Sequence, residues 1–323
     1  NIVYSDATKG WIPLNDDDVT EAPVAPPTQK GIFAYGYGGS PIGNLAVSNL
    51  VNSSGVIATD TTGVGQAKDG IAAANYGGDK AIFCFGYGSS PSGYTNTKNL
   101  VNNSGVVAAT ASGAGTARGY LGAATYGTDK AIFAFGSGLS NLSNLVSNSG
   151  VVATDTSGVG TARQLVAAAG YGSTGQALFG YGTSPATSGV TALTNLVSNA
   201  GVVAADTTGV GTARQSPGAA GYGGDKAIFA YGFAPSAVRN MSNLVSNTGV
   251  VATDTAGVGT ARNQCKATAY GGDKAIFAYG NTNSTSPLSM SNLVSSSGVV
   301  ASDVTGVGTA RYEAAGAGFS FSA

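Results

Sequence analysis

A block of residues recurs six times along the chain, and one copy, SNLVSNTGVVATDTAGVGTAR, occupies 242–262. An aromatic segment accompanies every copy, as in KAIFAYG at 274–280. The five steps between the phenylalanines of this segment, from Phe33 to Phe277, are 50, 50, 46, 50 and 48 residues. Such a period predicts a repeat architecture, because one unit cannot bury its hydrophobic face alone and must stack against its neighbours.

Each unit predicts four short β-strands, named A to D in chain order. Strand A is a run of small residues such as 72–76, and the glycine-rich turn GGDK after it reverses the chain into strand B, the aromatic segment. Strand C is SNLVS, and an Asn-x-Gly turn such as 247–249 leads into strand D, VVATD. Strands A and B show little alternation of polar and apolar residues, which predicts that both of their faces are covered.

The two ends of the repeated region indicate how the units are arranged. The repeats begin with a strand B at 31–36 and finish with a strand A at 314–321, so the chain holds six of every strand. If these two segments pair, one sheet is completed from both ends. We therefore predict an all-β fold in which residues 30–323 form a six-bladed β-propeller with four-stranded blades, closed by the C-terminal strand. The small residues of strand A would lie where the strands converge on the axis. An open solenoid, which would need polar caps, is the alternative.

The composition excludes several classes of function. Charged residues make up 10% of the chain, against roughly 25% in a typical soluble protein. The net charge of −1 argues against a nucleic-acid partner, and no apolar run predicts membrane insertion. The chain contains no histidine, the commonest general base and metal ligand, and we expect no cofactor and no metal. Cys84 and Cys265 are predicted to be buried small hydrophobes. A start at Asn1 without methionine predicts a processed product or a fragment.

Residues 1–29 form a different region. They carry an acidic cluster followed by the proline-rich stretch EAPVAPPTQ, which predicts a fairly stiff tether. The cluster consists of Asp16, Asp17, Asp18 and Glu21. It lacks the ligand spacing of a calcium-binding EF-hand loop and is interpreted as a solvated charge run. The region is therefore predicted to be an attachment segment.

Two resemblances follow from these motifs. The order of a basic residue, a small-residue strand, a turn and an aromatic strand such as IFAYG resembles the kelch repeat over residues 30–323. Most B strands here end in a single glycine and the kelch tryptophan of the outer strand is absent, so this resemblance implies propeller topology and no functional residue. GDKAIFAYG, the quoted block and the opening VYSDATKGWIPLNDDDV resemble repeat-bearing fibre and tail proteins of tailed bacteriophages. That resemblance implies a place on the virion surface, outside the cell, with residues 1–29 contacting other virion proteins.

One face of the predicted propeller varies between the units. The A–B and C–D turns hardly change, whereas the B–C loops and the residues just after the basic position differ in every unit, and alternating strand directions place both variable sets on the same face. Binding residues concentrate on loops held by a rigid scaffold, and Tyr, Asn and Gln suit sugars. The alternative is that tolerated loops have simply drifted. The candidate ligand-binding residues are Tyr37, Tyr94, Tyr120, Gln164, Gln215, Phe233, Arg239, Asn263 and Tyr312.

Six basic residues recur just before strand A: Lys68, Arg118, Arg163, Arg214, Arg262 and Arg311. As a ring they would hold an anionic glycan or a phosphate. The preferred interpretation is that each contacts backbone carbonyls or an acidic residue within the scaffold. The candidate partners in strand D are Asp60, Asp155, Asp206, Asp254 and Asp303, with Thr110 in place of the acid in one unit. GVGTAR is not a phosphate loop, because it lacks the Lys-Ser/Thr ending and precedes a strand.

The leading functional hypothesis is a non-enzymatic virion component that binds a host cell-surface glycan or receptor through the variable face. Weak single sites would gain avidity from many copies on one particle, and a homo-oligomer is left open. Two alternatives stay open: a purely structural decoration or spacer domain, and an enzyme that degrades surface polysaccharide. The enzyme would need two carboxylates in one cleft. Asp69 and Glu313 are the only acids at the variable positions after the basic residues, and closure would make their units neighbours.

Overall fold

A computed structural model of the protein describes residues 2–6, 10–13, 29–187, 189–282 and 286–319. The acidic cluster and the proline-rich tether, apart from its last residue Gln29, lie outside these residues. Ahead of them, β1 (Ile2–Asp6) and β2 (Gly10–Pro13) pair as an antiparallel hairpin. The described part of the chain is all-β, with a single 3-10 turn at Pro185–Thr187 and no α-helix.

Twenty-five further strands follow in the described residues. In the first half of the chain they are β3 (Lys30–Tyr37), β4 (Asn44–Val51), β5 (Lys68–Asp69), β6 (Ala72–Tyr76), β7 (Lys80–Cys84), β8 (Tyr87–Ser89), β9 (Ser92–Tyr94), β10 (Lys98–Val101), β11 (Gly122–Tyr126), β12 (Lys130–Ala134) and β13 (Ser143–Val146). In the second half they are β14 (Ala167–Tyr171), β15 (Gln176–Gly180), β16 (Thr183–Ser184), β17 (Gly189–Val190), β18 (Thr194–Val197), β19 (Gly218–Tyr222), β20 (Lys226–Ala230), β21 (Phe233–Ala234), β22 (Ala237–Val238), β23 (Ser242–Val245), β24 (Lys266–Tyr270), β25 (Lys274–Ala278), β26 (Ser291–Val294) and β27 (Ala315–Phe319).

Six antiparallel sheets share one plan: an inner strand of small residues, a central aromatic strand and an outer strand with the sequence Asn-Leu-Val. From inner to outer strand they are β27-β3-β4, β6-β7-β10, β11-β12-β13, β14-β15-β18, β19-β20-β23 and β24-β25-β26. These strands are the predicted strands A, B and C, so the assignment of these three strands from the repeat is confirmed.

The last described strand pairs with the first strand of the repeats. β27 lies antiparallel to β3, with Ala315 opposite Ala34 and Phe319 opposite Lys30. The inner strands β6, β11, β14, β19, β24 and β27 contact one another in this order, and β27 also contacts β6. The predicted pairing between the two ends of the repeated region is therefore present.

The prediction that VVATD forms a regular strand D is wrong. This segment makes only isolated β-bridges to the outer strand. In the first unit the bridges join Thr61 to Ser48 and Ile57 to Val51 of the outer strand. The cause is the side chain of Asn49, which is fully buried and donates from Nδ2 to the carbonyl oxygen of Ala58 at 2.9 Å. Because a side-chain amide occupies this carbonyl, the backbone ladder is interrupted at this point, and each sheet has three strands instead of four.

The core lies between neighbouring sheets. The four residues from Ala81 to Cys84 on β7 are completely buried, as expected for a central strand covered on both faces. The inner strands differ from the prediction, because their residues alternate between buried and half-buried. Their half-buried side lines a central cavity, to which all six inner strands contribute a small residue: Ala73, Ala123, Ala168, Ala219, Ala267 and Gly316. The predicted convergence of small residues is present.

A buried basic residue joins each sheet to the one before it. Arg163 stacks its guanidinium over the ring of Phe135, 4.2 Å from the ring centroid, at the end of β12. In its own sheet it donates from Nη2 to Oδ1 of Asn195 at 2.6 Å and from Nε to the carbonyl oxygen of Tyr181 at 2.9 Å. The four other arginines stack in the same way at 3.9–4.6 Å. Each contact combines a cation–π interaction with charge-assisted hydrogen bonds.

The recurring aspartates complete this junction, as predicted. Asp206 lies 3.5 Å from Nη1 of Arg163 and accepts hydrogen bonds from Asn195 and from the backbone and hydroxyl of Thr161. Burial alone would raise the pKa of Asp206, but the hydrogen bonds from Thr161 and Asn195 hold it below its usual value.

One junction has changed its arginine and its aspartate together, and keeps the asparagine and the aromatic ring. Lys68 stands in place of the arginine, and its Nζ donates to the hydroxyl of Thr97 at 3.1 Å and to Oδ1 of Asn99 at 3.3 Å. Thr110 replaces the aspartate and accepts from the backbone of Gln66. Burial lowers the pKa of Lys68 to about 8. The ammonium group therefore has neutral partners where the other five junctions have a carboxylate.

We expect Arg163→Met to destabilise the protein strongly, because it leaves Asn195 and Asp206 without their buried cation. Breaking one side of a buried ion pair typically costs about 3–5 kcal/mol. Urea unfolding should show this loss. Lys130→Met removes a basic residue from an exposed pair with Asp129 and should cost less than about 1 kcal/mol. Equal losses in the two variants would contradict the role of the buried junction.

Gly316→Ala is expected to destabilise the contact between β27 and β3. A Cβ at Gly316 would lie 2.7 Å from the ring of Phe33 and 2.9 Å from the carbonyl oxygen of Ala267. Overpacking of this kind costs about 1–3 kcal/mol. Gly221→Ala is the matched control on another inner strand, since its Cβ would meet no atom closer than 3.4 Å. Thermal unfolding of the two variants should differ, and matching midpoints would argue against the pairing.

Candidate functional site: the variable face

The structure brings the two variable sets together. Residues that follow the basic position pair with residues that follow the central strand, as Tyr312 does with Tyr37 and Gln164 with Thr183. β5 makes the same contact with β8, where Asp69 lies opposite Tyr87. Loops between central and outer strands therefore share one side of the molecule with the links into the inner strands, and we call this side the variable face.

A run of backbone hydrogen bonds links the six units on this face. The second residue after each basic position has φ between 53° and 58°; these residues are Gly70, Tyr120, Leu165, Ser216, Gln264 and Glu313. The amide of Tyr120 donates to the carbonyl oxygen of Gly70 at 2.7 Å, and the amide of Leu165 donates to that of Tyr120 at 2.8 Å. The same bond continues through Ser216, Gln264 and Glu313. Three of these residues, Tyr120, Gln264 and Glu313, line one depression.

This depression has a volume of about 370 Å³. It is lined by Tyr37, Asp69, Tyr120, Gln264, Tyr312 and Glu313. Three of these residues are tyrosines and two are acids. The depression therefore offers aromatic rings, a neutral amide and two carboxyl groups within one small volume.

The tyrosines pack edge to face around the depression. The ring centroids of Tyr37 and Tyr312 are 5.4 Å apart. Tyr94 lies 6.4 Å from Tyr120 and is 46% exposed, so it extends the aromatic surface outward. Gly70 makes room for Tyr120, because a Cβ at this position would lie 2.8 Å from the Tyr120 ring. The glycine also has φ +55°, which favours glycine over other residues.

The two carboxyl groups are held in a poorly solvated environment. Burial raises the pKa of Asp69 to about 6. Burial and the negative charge of Asp69 raise the pKa of Glu313 to about 8, against the opposing effects of Lys266 and of a hydrogen bond from Gln264. The pair therefore binds protons at a pH where ordinary carboxyl groups are ionised.

A chain of amides fixes the position of Glu313. Asn281 donates from Nδ2 to Oε1 of Gln264 at 2.8 Å, and Gln264 in turn donates from Nε2 to Oε1 of Glu313. Asn281 is buried and Lys266 lines the central cavity beneath. Because each amide is oriented by its neighbour, the carboxyl group of Glu313 is held on the rim of the depression.

The predicted binding residues are only partly brought together. Tyr37, Tyr120 and Tyr312 line the depression, and Tyr94 contacts Tyr120. The other five make bridges elsewhere on the variable face and do not line the depression; they are Gln164, Gln215, Phe233, Arg239 and Asn263.

Sequence reasoning missed Lys266 and Gln264 as members of the site. A usable signal was present at Lys266, because the first residue of the other inner strands is Ala or Gly, as in Ala72 and Gly122. Lys266 is the charged residue among these small ones, and it begins β24, the inner strand that lies below the depression. For Gln264 the signal was weaker, since every unit differs at this position.

The alternative role of the basic residues as an anion-binding ring is wrong. All six are at most 1% exposed and are engaged within the scaffold, so no bound anion reaches them. Cys84 and Cys265 are free and buried, as predicted. No group of three or more His, Cys, Asp or Glu that could hold a metal ion occurs in the described ranges.

Comparison with known proteins adds no relative. No protein-family model matches the sequence, and no curated protein matches it. Within the part of the chain that the structure describes, no helix is long and apolar enough to span a membrane.

Glu313→Gln should stabilise the protein relative to wild type increasingly as pH rises from 5 to 9. The pKa of Glu313 in the folded protein, about 8, lies above that of an unfolded chain, so the folded state binds the extra proton and loses stability as this proton is released. The glutamine cannot ionise. Thermal unfolding across this pH range measures the difference between the two proteins. Asp273→Asn, an exposed carboxyl group on an A–B turn, is the control, and a pH-independent difference for Glu313→Gln would contradict the assignment.

Proposed function

We propose that the chain is a non-enzymatic virion surface or fibre protein whose variable face binds a host-surface glycan or receptor. The single observation that carries this proposal is the tyrosine-lined depression at the centre of that face. The resemblance to phage fibre and tail proteins gives the setting, and residues 1–29 are proposed to contact other virion proteins.

The proposed scaffold is a six-bladed, kelch-like β-propeller closed by β27. Three observations support it: six sheets of one plan, the pairing of β27 with β3, and the cyclic order of contacts between the inner strands. In such a scaffold the depression lies over the central cavity. A rigid scaffold of this kind presents loops without paying for their ordering when a ligand binds.

The chemistry of the depression suits a sugar. Tyrosine rings offer apolar faces for the C–H surfaces of a pyranose, and their hydroxyl groups exchange hydrogen bonds with sugar hydroxyls. Tyr37, Tyr120 and Tyr312 line the depression together with the amide of Gln264. A shallow site of this size holds one or two sugar units weakly, and many copies on one particle would supply avidity.

A second candidate function is hydrolysis of a surface polysaccharide. It is favoured by one observation, the presence of Asp69 and Glu313 in the same depression. Their pKa values, about 6 and about 8, would leave one carboxyl group protonated while the other is ionised, as glycoside hydrolysis requires. Shortened chains after incubation with capsular polysaccharide, with no shortening by Asp69→Asn, would favour the enzyme over the binding protein.

Replacing the tyrosines should weaken binding to host cells without unfolding the protein. Tyr94→Ala, Tyr120→Ala and Tyr312→Ala each remove an aromatic surface worth about 0.5–1.5 kcal/mol, so each should reduce affinity by up to about tenfold. A host-cell or glycan-array binding assay measures this. Lys226→Ala, on an A–B turn away from the variable face, should bind as wild type does. Unchanged binding in all three tyrosine variants would overturn the proposal.

A further inference from the structure

The depression differs from the rest of the scaffold in its charge. At the five junctions between sheets that contain an arginine, an aspartate lies within 4.0 Å of its cation. Asp69 and Glu313 form no ion pair with any described residue. The nearest cation that acts on Glu313 is Lys266, so with all three groups ionised the site carries a net negative charge.

Asp69 has an acceptor atom that nothing in the described protein satisfies. Its side chain lines the depression, yet the residue is only 9% exposed and its buried Oδ1 accepts no hydrogen bond from the described residues. An unpaired buried acceptor on a charged group is costly to the folded protein. A ligand that supplies an N–H donor and a positive charge would remove this cost.

The walls of the depression favour the same type of ligand. Aromatic rings attract cations through their negative faces, and Tyr37, Tyr120 and Tyr312 line the depression together with the two acids. A primary ammonium group carries three N–H donors, which the carboxyl groups of Asp69 and Glu313 accept. A quaternary ammonium group has no N–H and would leave Oδ1 of Asp69 unpaired.

We propose that the depression binds the primary ammonium group of an amino sugar, with Asp69 and Glu313 as acceptors and the three tyrosines as the surrounding wall. This inference rests on the proposed glycan-binding function and names the class of glycan: a polysaccharide that contains hexosamine units with free amino groups. An N-acetylated unit presents a neutral amide at the same position and does not neutralise the pair.

The proposal predicts a pH dependence. The charged and titratable groups that face the pair are Lys266 from the inner strand and the surrounding tyrosines Tyr37, Tyr94, Tyr120 and Tyr312. Burial lowers the pKa of Lys266, and burial raises the pKa of Tyr120 and Tyr312, so Tyr120 and Tyr312 stay neutral. Because Asp69 titrates near pH 6, the pair gains negative charge between pH 5 and pH 7, and the preference for an amino sugar should grow in this interval.

The experiment compares two oligosaccharides that differ only at the amino nitrogen, which is a free ammonium group in one and a neutral acetamide in the other. Isothermal titration with a tetramer of glucosamine and with its fully N-acetylated counterpart, at pH 7 and equal ionic strength, should show about tenfold tighter binding of the amine, as expected for a partly desolvated cation beside aromatic rings and carboxylates. The preference should shrink at pH 5. It should disappear in Asp69→Asn and fall in Glu313→Gln, both near-isosteric changes whose folding is checked by thermal unfolding. Asp273→Asn, a matched change on an A–B turn away from the variable face, should keep the full preference.

Equal binding of the two tetramers, or a preference that survives in Asp69→Asn, overturns the ammonium site and leaves the proposed glycan binding intact. Binding of neither tetramer also overturns the ammonium site. The proposed function fails separately, when host-cell binding is unaffected by the tyrosine variants.

Discussion

The structure depends on a buried cation that lies between two sheets. Each arginine places its charge over an aromatic ring of one sheet and hydrogen-bonds an asparagine of the next, as Arg163 does with Phe135 and Asn195. The ring reaches this position because its residue adopts φ of 63–67°, an unfavourable conformation for a bulky side chain. The strain is tolerated because the same residue fills the core between sheets and receives the cation. The angle and spacing of neighbouring sheets are thereby fixed at the point where the chain enters each inner strand.

This self-sufficient scaffold explains why one face is free to vary. The junctions and the run of backbone hydrogen bonds use main-chain atoms and buried side chains, so the side chains that follow each basic position can differ between units. Asp69, Tyr120, Gln264 and Glu313 occupy such positions in four different units, and the depression exists only because they differ from one another. A protein with six identical units would present six identical groups around the same centre. The chemistry of the depression therefore comes from departures from the repeat.

Several parts of the structure followed from the sequence by physical argument. The order of small, aromatic and Asn-Leu-Val segments predicted three strands of each sheet, and the recurring aspartates were predicted as partners of the basic residues. The fourth strand was predicted wrongly, because backbone pattern alone does not show that the buried amide of Asn49 takes the carbonyl of Ala58 from the ladder. Full coverage of strand A was also wrong, since its alternate residues line the central cavity. The errors about the fourth strand and about strand A have the same origin, because the packing of neighbouring sheets sets which groups these side chains contact.

The sequence by itself determined the period and the phase of the repeats. The repeated region begins with a strand B and finishes with a strand A, so its two ends carry complementary strand edges. The pairing of β27 with β3 follows from this. It also determined which side of the sheets varies. Only the tertiary structure decided which variable residues meet. Tyr120, Gln264 and Glu313 are far apart in the chain, and they line one depression because their backbones turn at positive φ and belong to one run of hydrogen bonds that links successive units. The reduced solvation that raises the pKa values of the two acids likewise arises from neighbours contributed by other units, and no single repeat contains it.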